Sequence, residues 1–309
     1  VSERRKKKET RRAARKDAAR SKRESRVHRD AQGRAHLLVH RDAHGRPDGL
    51  QLSRPLFNDA WQNDVALGAA NTAHAFLADG HTVDQVIGLG RKAMAGTSKI
   101  AEGALGRSPD TPPACRAGCS HCCHQAVGVL APEVLAIHDH LRATRTAAQL
   151  DATVRRIRDV DDQTRGMTSA DRLSPDLPCP FLDSEQCSIY EARPLACRGT
   201  NSLDATACER TLRDPDARAE FLAGRLPVPC FLEPIRAFHA VTAGVQLALH
   251  DLHGLQALPL ELTAAMRILV DDPERVPLQW LAGEDPFEAA RGGDNTDNPL
   301  IRQLSGRRA

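Results

Sequence analysis

No stretch of the 309-residue sequence approaches the ~20 consecutive apolar residues of a bilayer span, so no membrane-spanning helix is expected in it. The stretch VSERRKKKETRRAARKDAARSKRESR is charged with no apolar core after it, so it is not expected to act as a secretory signal. Disulfide-scaffold density is absent, since nine cysteines in 309 residues are few beside small secreted frameworks, and a chain this long buries a core without them. Nine is also odd, so a full set of pairs leaves one thiol over. The Ser-His-Asp arrangement, the P-loop and the HExxH helix do not occur. These absences point to a cytoplasmic chain, where clustered thiols serve as metal ligands or redox groups.

Charge is unevenly spread. Residues 1–30 carry 14 Lys and Arg against 5 Asp and Glu, a net of +9, and the rest of the chain is net −6. The basic tail is expected to be a disordered extension able to meet an anionic partner, nucleic acid or other. It has no aromatic side chain to stack on a base, which weighs against nucleic acid.

Hydrophobic spacing predicts a mainly α fold: a helical domain with an irregular, metal-stapled cysteine-rich segment and little β structure. Residues 1–56 read as the basic extension, with a short hairpin around AHLLVH and HGRPDG. Helical spacing over 59–78 and 82–105, joined by the ADGHT turn, makes a hairpin within 57–108. After the SPDTPP break, 109–210 forms the cysteine-bearing domain; helices are expected at 132–145 and 147–166, and 173–202 reads as coil. Helices at 215–224, 231–253 and 260–270 make up 211–289, and 290–309 is a polar tail.

The chemistry is concentrated in CRAGCSHCCHQ, residues 115–125. Read as a helix, it places Cys115, Cys119, Cys122 and Cys123 within an arc of roughly 100°, with His121 and His124 on the far side. Adjacent Cys122 and Cys123 diverge too far to serve one tetrahedral ion easily, and they suit two metals or a polynuclear cluster. The C-x3-C-x2-C spacing is shared with radical S-adenosylmethionine enzymes, but here no strand precedes it and no βα series follows. Zinc and iron–sulfur clusters both take thiolates, and the spacing alone leaves both open.

CRAGCSHCC at 115–123 followed by CPFLDSEQCSIYEARPLACR at 179–198 resembles the YkgJ-type cysteine-cluster family of zinc- or iron-chelating domains. The resemblance covers about 109–210. It implies metal ligation by Cys115, Cys119, Cys122, Cys123, Cys179, Cys187 and Cys197, with Cys208 as the eighth in preference to Cys230. The cofactor it implies is an iron–sulfur cluster or zinc, in a redox or metal-handling role or as a structural zinc-binding interaction module. A similar arrangement in flagellin lysine N-methylases implies cluster-dependent methyl transfer as a third reading. Phe181 and Tyr190 are expected to shield the sulfurs, and Arg193 and Arg198 to offset thiolate charge. Asp183 reads as a turn-capping residue, and His138, His140, His239, His250 and His253 as ordinary helical residues.

Overall fold

The computed structural model describes residues 37–41, 47–107 and 110–291. The basic stretch 1–30 lies outside them, as does nearly all of the polar tail, so the anionic-partner reading concerns residues whose structure is not described. No described helix is long and apolar enough to cross a membrane.

Two long helices open the body. α1 (Ala60–Leu77) starts at Asp59, whose carboxylate accepts from the Trp61 N–H at 2.9 Å. α2 (Val83–Gly106) begins with a capping box: Thr82 Oγ1 accepts from Gln85 N–H, and the Gln85 side chain accepts from Thr82 N–H. α3 (Ala131–Thr144) and α4 (Ala147–Thr164) follow, then the short α5 (Ser169–Arg172), α6 (Leu195–Gly199), α7 (Ala205–Arg213) and α8 (Pro215–Leu222). α9 (Leu232–Leu247) continues into a π-helical turn, Ala248–Leu252, before α10 (Leu262–Asp271) and α11 (Arg275–Leu281). The mainly α expectation holds, and helices form within 59–78, 82–106, 131–145, 147–166, 215–224, 231–253 and 260–271, close to where the periodicity put them.

Only 3% of the chain is aromatic, so the core is filled by bringing small-residue helices close together. α9 packs along α1, and α2 lies against both α3 and α9. At the α1–α9 crossing a Cβ on Gly244 would sit 2.0 Å from the Ala66 carbonyl oxygen; at the α2–α3 crossing one on Gly90 would sit 2.1 Å from that of Pro132. Glycine at these two positions is what allows the backbones to touch. Leu89, Ile137, Leu141, Ile157, Leu247 and Met266, all fully buried, fill the space between helices.

The hairpin expected within 31–56 is β1 (Leu37–Arg41) paired antiparallel with β2 (Pro47–Leu52), with Leu37 opposite Leu52 and Val39 opposite Leu50. Leu37 is fully buried, and its N–H donates to Asp251 Oδ2 at 3.1 Å, which fastens the hairpin to the π-helical turn. Two further two-stranded pairs are minimal. β3 (Gly128–Val129) pairs with β6 (Leu260–Glu261), and β4 (Leu182–Asp183) pairs with β5 (Gln186–Cys187).

Candidate metal centre

The segment 115–123 is not the helix that the thiol-stripe reading assumed. It is a loop with a turn at Gly118, φ +82°, followed by a single 3-10 turn, His121–His124. A glycine in the left-handed region ends helical propagation there, so the stripe geometry fails and other segments bring the thiols together. Ala114 N–H donates to Ser202 O at 2.8 Å, and Ser202 N–H points at Cys115 Sγ at 3.3 Å. Cys179 N–H donates to Cys123 O at 2.7 Å, and Ser174 N–H donates to His124 O at 3.4 Å. Backbone bonds thus zip the first cysteine loop to both downstream segments.

The 173–202 stretch is held as much from inside as from outside. Residues 182–187 turn through Ser184 and Glu185, both at positive φ (49° and 63°), where hairpins favour glycine or asparagine. The Glu185 carboxylate accepts from Ser120 Oγ, so the turn tip reaches back to the first loop. Arg172 is buried and donates to the carbonyls of Leu177 and Pro178, immediately before Cys179. Arg198 donates to the carbonyls of Arg193 and Glu191 at 2.7 and 2.6 Å and to Ser98 Oγ at 2.5 Å, which pins the coil to α2.

Beneath this lies Glu133 in the first turn of α3, 2% exposed. Its Oε2 accepts from Leu130 N–H and its Oε1 from Leu195 N–H, both at 2.8 Å. Leu195 opens α6, the helix that carries Cys197. Burial raises the carboxyl to about 7 despite the two N–H donors.

The cysteines meet in two neighbourhoods. Cys115, Cys119, Cys122 and Cys208 line one cavity of about 220 Å³ with His121, and Cys230 lines it as well. Cys123, Cys179 and Cys197 form the second neighbourhood; the charges of Cys179 and Cys197 raise Cys123, and Cys187 acts on both Cys179 and Cys197. Cys122 and Cys123 join the two, sharing a hydrogen bond that lowers the first thiol and raises the second. All nine are free; Cys115 and Cys122 are exposed and the others half-buried. Desolvation pushes Cys179 up to about 12 and Cys197 well above its ordinary value, and neighbouring thiols add to both. Ionised together these sulfurs repel one another, and a cation among them relieves that repulsion. The donor set is soft and suits zinc or iron. Among the described residues, no three Cys, His, Asp or Glu side chains are already set around a single ion's position.

Several neighbours differ from expectation. Tyr190 is 59% exposed and does not shield sulfur; the Arg193 guanidinium stacks on its ring at 4.1 Å and from there lowers Cys122. Phe181 is 1% exposed and belongs to the core against which Cys179, Cys187 and Cys197 pack. Arg198 grips backbone carbonyls as a clamp and also, as expected, places its charge where it favours the Cys187 thiolate, as does Arg193. Asp183 sits at the start of its turn and accepts from Ser184 Oγ at 3.2 Å. His124 is drawn to Ser174 O at 3.2 Å, whereas His121, expected to face away, shares the thiol-lined cavity.

Sequence reasoning missed a chain of three imidazoles. His253 Nε2 lies 3.3 Å from His74 Nδ1, and His253 Nδ1 lies 2.9 Å from His81 Nε2. Burial, then the charges of His81 and His74, lower His253 to about 3. The three residues are far apart in sequence and carry no motif, so no local signal announces them.

Residues 114–216 match the family model CxxCxxCC, described as "Putative zinc- or iron-chelating domain". This segment, about a third of the chain, matches the cysteine-cluster family that the two motifs resemble. The family's name spaces its first two cysteines by two residues; here three intervene, and Gly118 is the last of them. No curated protein and no solved structure matches the chain.

Proposed function

We propose that the protein binds iron through eight thiolates, Cys115, Cys119, Cys122, Cys123, Cys179, Cys187, Cys197 and Cys208, as an iron–sulfur centre with a redox or metal-handling role. The observation that carries this reading is the open side of the thiol group. Structural zinc sites are closed by four ligands, whereas Cys115 and Cys122 are exposed on the wall of a cavity that a solute can enter. Loading the centre releases the thiols' protons, so affinity falls as pH drops. The backbone zipper between 114–124 and 174–202 positions the loops beforehand.

A structural zinc module is the second reading, favoured by the junction at Cys122–Cys123, which divides eight thiols into two sets of four. Cysteine-to-serine variants test the ligand set, with metal content per chain as the readout. Cys122→Ser and Cys208→Ser each lose metal, and Cys230→Ser keeps it. Full metal content in Cys122→Ser overturns the proposal; loss in Cys230→Ser in place of Cys208→Ser reassigns the eighth ligand.

A further inference from the structure

Arg172, at the end of α5, is the one cationic side chain that is buried among the described residues, at 2% exposure. A guanidinium stays protonated even there, so the fold carries a permanent positive charge in its interior. Burying a charge is costly unless partners compensate it. Two partners are backbone carbonyls: Nη1 donates to Leu177 O and Nη2 to Pro178 O. Nε is buried with no hydrogen-bond partner among the described residues. Neutral carbonyls balance no charge, and clamping a coil to α5 does not by itself require a cation.

The surroundings of this charge lead to the cysteines. Pro178 O belongs to the peptide that precedes Cys179, and Cys179 N–H donates to Cys123 O at 2.7 Å. The guanidinium is thus fixed one residue from the backbone bond that joins the two cysteine loops. Glu261 is the second charge in reach. Its carboxylate is tied to the start of α10, accepting from Ala264 N–H at 2.9 Å and from Thr263 Oγ1 at 3.3 Å. Arg172 and Glu261 act on each other, and both act on Cys179. The guanidinium lowers that thiol, the carboxylate raises it, and the guanidinium is the stronger of the two.

Thiolates gathered around a metal carry a net negative charge. A fixed cation beside them stabilises the loaded state, and a fixed anion opposes it. Cys179 therefore supplies, once ligated, the anionic partner that Arg172 lacks among the carbonyls.

We propose that Arg172 and Glu261 are a buried pair of fixed charges that sets how tightly the cysteine centre holds its metal, the guanidinium strengthening retention and the carboxylate weakening it. This rests on the reading that the thiols bind metal, and it holds for iron or zinc. The test is the rate at which the full-length protein, purified with its metal, surrenders that metal to excess EDTA, with metal content measured at the start. Arg172→Gln, which keeps a donor for the carbonyls but not the charge, loses metal about tenfold faster. Glu261→Gln, which keeps an acceptor for Ala264 N–H, loses it about tenfold more slowly. Arg172→Lys keeps the charge without the planar fork and stays close to wild type. A residue that only clamps the coil would make the lysine variant as fast as the glutamine one, and simple loosening would speed both glutamine variants. Either result, or an unchanged rate in Arg172→Gln, overturns the proposal. Should Arg172→Gln be purified empty, the slower release from Glu261→Gln and the wild-type rate of Arg172→Lys decide it. Wild-type protein that holds no metal overturns the metal reading itself, and this proposal with it; wild type that holds metal while the variants fail these signs overturns this proposal alone.

Discussion

Replacing Glu133 by alanine is the perturbation that most directly tests how the helical body holds the cysteine loops. The substitution leaves two backbone donors, Leu130 N–H and Leu195 N–H, without acceptors, and both residues are only 1% exposed. Each orphaned donor costs ~1–3 kcal/mol, so the loss is about 3–5 kcal/mol when the wild-type carboxyl is protonated. The pH dependence adds a signature. The folded carboxyl titrates at about 7, against 4.5 ordinarily, so between those values the folded chain binds a proton that the unfolded chain has released. Wild-type stability therefore falls as pH rises through that window, by up to about 3 kcal/mol from this group. The alanine variant lacks that slope, and the difference between the two proteins shrinks from pH 5 to pH 8. Urea unfolding of the metal-loaded proteins across that range gives both quantities. A loss under ~1 kcal/mol at pH 5, or a difference that grows with pH, refutes the reasoning. Because Leu195 opens the helix bearing Cys197, the variant also surrenders its metal to a chelator faster.

Two other outcomes follow from particular residues. Ser184 and Glu185 both occupy the left-handed region in the β4–β5 turn, so Ser184→Asn stabilises the protein by about 0.5–1 kcal/mol in thermal or urea unfolding, since asparagine tolerates that conformation better; a destabilised variant contradicts this. His253 is held neutral far below its ordinary pKa, so the unfolded state takes up a proton on this residue as pH falls below 6.5 and stability declines toward acid. His253→Gln removes that part of the decline between pH 6.5 and about 4. An unchanged acid limb would show that the imidazole chain is not what resists protonation.

Long periodic segments were legible in the sequence because burial of one helix face is a local pattern. Val83, Val86, Ile87 and Leu89 announce α2, and Pro132 with Glu133 announces the start of α3. The short helices α6 and α7, which carry Cys197 and Cys208, were not legible. Five- and nine-residue helices show too few turns for periodicity, and α6 depends on Glu133, 62 positions upstream. The cysteine positions were readable from their spacing and motif. Their geometry was not: the arc of thiols required a helix through Gly118, and the real arrangement comes from backbone bonds to Ser202 and Cys179. The same limit hid the His74–His253–His81 chain and turned His121 the wrong way. Each depends on contacts between distant segments.

The central claim is an iron-bearing cysteine centre, and the most direct measurement is metal and acid-labile sulfide analysis with an optical spectrum on protein purified without oxygen. The account predicts iron with labile sulfide and a broad visible absorption that bleaches with dithionite. Two zinc ions per chain, no labile sulfide and no colour would contradict it and leave the cysteines as a structural staple.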